Sequence, residues 1–137
     1  MPSDLARLRD FAERYTAAWC SQDAASVAEF YSSEGSLTVN GGTPAVGRRE
    51  ITGVARSFMS AFPDMQVLMD DVIVKAETAE YHWTLVGTNT GPGGNGNHVR
   101  ISGYEEWTIG PDGLIASSQG HFDAAEYRRQ LDDRADE

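Results

Sequence analysis

Apolar residues at the start of the chain fall at Leu5, Leu8, Ala12, Tyr15 and Trp19, in steps of three, four, three and four. That spacing lines one side of an α-helix, and Phe11 widens the stripe. Ser3 or Asp4 can cap its free amides. Ser21, Gln22 and Asp23 break the pattern, and Asp23 is placed to cap a short second helix carrying Val27, Phe30 and Tyr31. Residues 32–35 are expected to end it. Residues 36–39 alternate as a short strand, and Asn40-Gly41 marks a turn because both residues tolerate positive φ. A third helix opens at 47–50 with Ile51, Val54, Ala55, Phe58 and Phe62 on one side. Pro63 stops it, since the residue before proline disfavours helix.

The period then changes to that of strands. Residues 65–74 read as a strand whose Asp70-Asp71 pair suggests an edge, a bulge or a wet stretch. Three longer strands follow, at 81–86, 98–109 and 114–122. Turn residues separate them at 87–97 and 110–113. The Gly/Asn-rich 87–97 segment is too long for a tight turn and is expected to be a mobile loop or lid. Asp123 and Glu126 form a capping box that opens a last helix through Tyr127 and Leu131. The charged residues 132–137 are expected to fray. Helices followed by a mostly antiparallel sheet make an α+β arrangement, with helices on one face of a curved sheet around an apolar pocket.

Length adds that 137 residues suit one domain, taken here as 1–137. The net charge of -10, from 11 basic and 21 acidic side chains, repels phosphate backbones and anionic membranes. Nucleic acid and membrane are therefore not expected partners. The N-terminus has no uninterrupted apolar run, so no signal peptide is expected. A single cysteine, Cys20, rules out a disulfide within the chain. Together these point to a soluble cytoplasmic protein. His82, His98 and His121 lie on different strands without ligand spacing, so no metal is expected. No phosphate loop is present, because the 91–94 segment lacks the lysine and the helix that would follow.

Residues 14–19 followed by Asp23, the strand end 83–91, the 112–115 close and the last helix together resemble the SnoaL-like branch of the nuclear-transport-factor-2-like superfamily. The resemblance covers nearly the whole chain. It implies a cone-shaped α+β fold, a homodimer packed through the sheet, and no cofactor. It also implies a small apolar ligand, handled by a cyclase or an isomerase; the alternatives are a non-catalytic binding protein for an apolar metabolite or an accessory dimeric subunit.

Candidate chemistry follows from both sources. Tyr15 is either a core tyrosine bonded to a carbonyl or, by resemblance to ketosteroid isomerases, a donor to a developing oxyanion. Glu105 shares a strand face with Gly103, Trp107 and Ile109. Desolvation there would raise its pKa, and the resemblance puts it at the isomerases' protonated-acid position. The other reading is a strand carboxylate paired with Arg100 or solvated at an edge. The isomerases' general base falls near Asn40 or Gly41, which cannot take a proton. The cyclases' acid/base aspartate falls near Gly120. Alternation puts Gln119, His121 and Asp123 on one side of the last strand. His121 is then either a proton shuttle or a sheet-surface histidine, and Asp123 either orients it or caps the last helix. Trp83 and Leu85 share a face that matches the isomerases' pocket wall, to which Trp19, Trp107 and Gln119 can add. The expected chemistry is proton transfer next to a carbonyl.

Overall fold

The first helical stripe folds as expected. The structure is a computed structural model that describes residues 4–76 and 78–132. Ser3 as a cap, the side chain of Asp4 and the tail from 133 onward lie outside the described residues. Helix α1 (Asp4–Cys20) buries Ala12 and Tyr15 completely and Trp19 almost so, while Leu5 stays exposed. Helix α2 is shorter than expected, Ala24–Ala28, and the side chain of Asp23 makes no capping bond. Tyr31 does not continue that helix. It opens strand β1 (Tyr31–Val39), and the stretch 32–35 belongs to the strand rather than to a turn. The register shifts between Tyr31 and Ser36, so the polar residues there bulge out of the ladder while Tyr31 stays buried.

A two-residue strand β2 (Ala45–Val46) was not foreseen from the pattern. Asn40 and Gly41 both take positive φ at the turn before it. Helix α3 (Arg48–Ala61) buries Ile51, Ala55 and Met59 and ends at Phe62, whose backbone leaves the helical region (φ -127°, ψ 81°) just before Pro63. Strands β3 (Gln66–Val74), β4 (Ala79–Thr88), β5 (His98–Ile109) and β6 (Ile115–Phe122) follow, then helix α4 (Ala124–Asp132).

The six strands form one sheet in the order β2-β1-β6-β5-β4-β3. Only the β1–β6 pair is parallel. β3 is an edge, and its register shifts between Met69 and Asp71, so the acidic pair marks both an edge and a bulge. N-terminal helices packed on this mostly antiparallel sheet give the expected α+β cone.

The helices cover the sheet face formed by Tyr81, Leu85, Ile101, Glu105, Trp107, Ser118 and Gly120. Tyr15 sits at the centre of that layer. Its ring meets Trp107, Tyr81 and Phe30 edge-on at centroid distances of 5.2, 5.4 and 5.6 Å. Each such pair stabilises by roughly 0.5–1.5 kcal/mol beyond simple burial.

The Gly/Asn-rich loop between β4 and β5 is pinned at several points instead of swinging free. Gly91 N–H donates to Ala61 O at 3.2 Å. The side-chain amide of Asn97 donates to Gln130 O and Leu131 O at 3.1 and 3.0 Å, and that of Asn95 donates to Leu131 O at 2.5 Å. The loop thus satisfies carbonyls at the end of α4. Gly91 is close to the end of α3: a Cβ there would lie 1.8 Å from Ser60 O. Gly91→Ala should therefore cost about 3 kcal/mol, the upper end for overpacking, read as a lower urea midpoint. An unchanged midpoint would show that the loop is loose.

Candidate functional site

A strand with period two must aim one face at the helices and the other at water. On β5 the covered positions include Val99, Ile101, Glu105 and Trp107, and Glu105 is the one charged type among them. Its side chain is only 7% exposed. Three donors meet it, all on the same oxygen. Tyr15 Oη donates to Oε1 at 2.9 Å, Trp107 Nε1 at 2.8 Å and Ser118 Oγ at 2.8 Å. Tyr15 and Tyr31 hydroxyls lie 2.8 Å apart. Since Tyr15 gives its proton to Glu105, Tyr31 donates to Tyr15, and the chain of donors runs from Tyr31 through Tyr15 to Glu105.

Burial pushes the Glu105 carboxyl above its ordinary range, against the opposing pull of the Trp107, Ser118 and Tyr15 hydrogen bonds. Burial, and then the nearby Glu105 charge, holds the Tyr15 hydroxyl well above the usual tyrosine range. Burial does the same for Tyr31, again with Glu105 next. Both phenols therefore stay protonated and act as donors. With Oε1 saturated by donors, a proton on this carboxyl belongs on Oε2.

Glu105 also forms part of the wall of a cavity of about 60 Å³. Trp19 from α1, Val54 and Phe58 from α3, Trp83 and Leu85 from β4 and Tyr127 from α4 line it as well. Gly120 stands directly across the strand pair from Glu105, so no side chain competes for the space beside the carboxyl. The walls are otherwise aliphatic or aromatic. Tyr81 and Tyr127 are among the aromatic ones. The indole N–H groups of Trp19 and Trp83 are buried and find no hydrogen-bond partner among the described residues. Trp19 Nε1 lies near enough to the Tyr15 hydroxyl to favour its ionisation slightly, but not in hydrogen-bonding geometry.

The structure thus brings Glu105, Trp19, Trp83 and Leu85 to one cavity. It puts Tyr15 and Trp107 behind the carboxyl, fully buried, where they hold Glu105 and do not join the wall. Gln119, His121 and Asp123 do not join it either. On β6 the inward positions are Ser118, Gly120 and Phe122, so alternation turns Gln119 and His121 to the outer face. His121 packs there on Tyr104 at 4.9 Å, and Tyr104 stacks on His82 at 5.3 Å. Asp123 Oδ1 accepts the Glu126 N–H at 3.0 Å, which is the helix cap and leaves no orienting role toward His121. Glu105 is not paired with Arg100, whose backbone is clamped by the Gln130 side chain.

Ser118, Tyr31 and Tyr127 were missed from sequence. Tyr31 was hidden by its reading as a helix end. Ser118 was recoverable once its strand is paired with Trp107, because a hydroxyl opposite the indole reaches the same carboxyl. Among the described residues no cluster of His, Cys, Asp and Glu is suited to a metal. No described helix is long and apolar enough to cross a membrane.

Residues 12–118 match the family profile of the SnoaL-like domain, which is most of the chain. The chain belongs to the SnoaL-like family. Solved structures agree on the fold. A putative SnoaL-like polyketide cyclase from Jannaschia sp. CCS1 superposes with a TM-score of 0.81 at 13% identity, covering 98% of each chain. A hypothetical protein with a ketosteroid isomerase-like fold from Catenulispora acidiphila DSM 44928, solved with trimethylamine, gives 0.78 at 14% identity over 93% of this chain and 96% of that one. The epoxide hydrolase/cyclase-like enzyme SalBIII, described in pyran ring formation in salinomycin, gives 0.77 at 15% identity over 90% and 95%. No curated protein sequence matches the chain. At these identities the likeness establishes the SnoaL-like fold alone.

The raised Glu105 pKa fixes a sign for stability. In the unfolded chain the carboxyl ionises around its ordinary 4.5, while the folded protein holds the proton to higher pH. The folded state then binds more protons, so this group's contribution falls as pH rises from about 4.5 through the folded value. Glu105→Gln keeps an acceptor for the three donors and removes the titration. Its stability relative to the native protein should rise across that interval and level off above it, measured by urea unfolding at a series of pH values. A stability difference independent of pH would remove the elevated carboxyl.

Proposed function

We propose that this SnoaL-like protein is a cofactor-independent isomerase or cyclase that acts on a small apolar carbonyl compound through Glu105 alone. The observation that carries this is one buried carboxyl with three donors on Oε1 and a cavity in front of it. Burial favours the acid, and the donors favour the carboxylate left behind. A group poised in this way can give a proton and take one back.

One acid/base group suffices for a rearrangement with no net gain or loss of protons. In ring closure, Oε2 gives its proton to the substrate carbonyl oxygen. An internal hydroxyl oxygen forms the new bond to the carbonyl carbon as the C=O π bond opens, and the hydroxyl proton returns to Oε2. The three donors on Oε1 hold the carboxylate while it waits. Tyr15, Trp107 and Ser118 are positioning residues here, because they touch the carboxyl and not the cavity space. His121 has no part in this sequence.

Ring closure of 5-hydroxypentan-2-one to its cyclic hemiketal, followed by exchange NMR, tests the reading. The native protein should accelerate it, Glu105→Gln should lose about 100-fold of that acceleration, and His121→Phe should keep it. Equal rates for the native protein and Glu105→Gln would end the assignment.

The wall's single carboxyl also favours a second reading, a binding protein that returns its ligand unchanged. Saturable binding of the same compound without acceleration would support that instead. A homodimer packed through the outer sheet face belongs to both readings. Exposed Leu68 and Ile73 on β3 and the His82–Tyr104–His121 stack support it. Sedimentation should give twice the 14.9 kDa chain mass, and a monomer at all concentrations would exclude it.

A further inference from the structure

The wall of the Glu105 cavity is not equally enclosed. Trp19, Tyr81, Leu85, Ile101 and Glu105 are buried and make its floor, whereas Val54, Phe58, Trp83, Phe122 and Tyr127 are half-buried. The half-buried set marks the mouth, which lies between α3, the end of β6 and α4. Of these elements α4 is the least embedded. No residue of it is buried, and nine residues are too few for a helix to hold its shape alone in water. It is helical because it is docked. The apolar part of that docking is small: the Tyr127 ring meets Phe122 and Phe62 edge-on at 5.4 and 6.4 Å, and Leu131 packs partly buried against the core. The rest is polar and sits on the last turn. β6 ends opposite Gly103, so on that side β5 has no strand partner at Arg100. The Gln130 amide takes the place of one, with Oε1 accepting the Arg100 N–H at 2.7 Å and Nε2 donating to Arg100 O at 2.9 Å. Both bonds are exposed, and water can replace them at modest cost.

We propose that α4 is the lid of the cavity, latched by Gln130 on Arg100, and that release of this latch withdraws Tyr127 from the mouth and admits the ligand. The other mouth residues are held more firmly. Val54 and Phe58 belong to α3, which buries Ile51, Ala55 and Met59, and Trp83 and Phe122 belong to paired strands. Undocking melts α4 back to Asp123 and leaves the sheet, α1 and α3 folded, because the bonds that break are those of its own last turn and of Tyr127. A lid of this kind sequesters the reacting group from water between openings. It deepens the carbonyl reading above and rests on that reading only for the identity of what enters; the opening does not depend on the state of Glu105.

Backbone hydrogen exchange reads the opening without any ligand. In the native protein the amides of residues 128–131 and of Arg100 should exchange through one shared opening, at least about tenfold more often than the amides of Glu105 and Trp107, which wait for global unfolding. Ile51→Val weakens the core that the open state keeps. It should speed exchange at Glu105 and Trp107 several-fold and leave α4 unchanged, whereas Gln130→Ala should speed α4 about tenfold. Access is read separately, in a protein carrying Cys20→Ser and Leu85→Cys, or Ile101→Cys if the first does not fold. Methyl methanethiosulfonate should label the cavity thiol about tenfold faster once Gln130→Ala is added, and no faster with Ile51→Val. Exchange of α4 that follows Glu105 and Trp107 in every variant would overturn the lid, since α4 would then open only with the whole fold. Labelling indifferent to Gln130→Ala would overturn it as well, since the mouth would then be open already. Neither readout uses turnover, so loss of the Glu105→Gln rate effect strikes only the proton-transfer reading.

Discussion

A carboxyl enclosed by aromatic rings is unstable unless its charge is removed or its oxygens are satisfied. In this protein donors satisfy one oxygen of Glu105, and burial shifts the carboxyl toward its protonated form. Tyr15, Trp107 and Ser118 converge on Oε1, which leaves Oε2 as the atom that can carry a proton. The three donors come from α1, β5 and β6, so helix placement, strand pairing and strand register must all be right before the carboxyl can be buried. Tyr31 from β1 adds a further link. The helical layer and the sheet are thus tied at one point by directional bonds, in addition to non-directional apolar packing.

Much of the scaffold was legible because it rests on periodicity. The stripe of α1, the 98–109 strand and the Asp123 cap are each local patterns with one physical meaning. Burial of Glu105 was one of two readings, because Trp107 marks the more apolar face of β5 but Arg100 offered a surface partner. What failed needed long-range pairing. Tyr31 sits where a helical stripe continues plausibly, and only pairing with β6 turns it into a strand. The loop at 87–97 looked mobile by composition. Its asparagine amides are instead occupied by carbonyls at the end of α4, a partner more than thirty residues away.

The last strand shows the limit most clearly. Its alternation was read as two sets, Ser118–Gly120–Phe122 and Gln119–His121–Asp123, although the strand ends at Phe122 and Asp123 caps the next helix. Which set faces inward cannot be read from β6 itself, because both contain polar residues. Pairing with β5 decides it: Gly120 stands opposite Glu105 and His121 opposite Tyr104. The histidine therefore joins an aromatic stack on the outer surface, and the cavity wall keeps the Glu105 carboxyl without His121 or Asp123.

Gly120 has a consequence of its own. An added Cβ at this position would meet Thr38 O at 3.5 Å and Glu105 Cγ at 3.8 Å, both ordinary contacts, and the backbone need not change. The residue is therefore not a steric necessity as Gly91 is. It is an unoccupied seat beside the acid, directly across the strand pair from Glu105. New chemistry could enter this cone by a single side chain without refolding anything, which suits a scaffold shared by proteins of such different description.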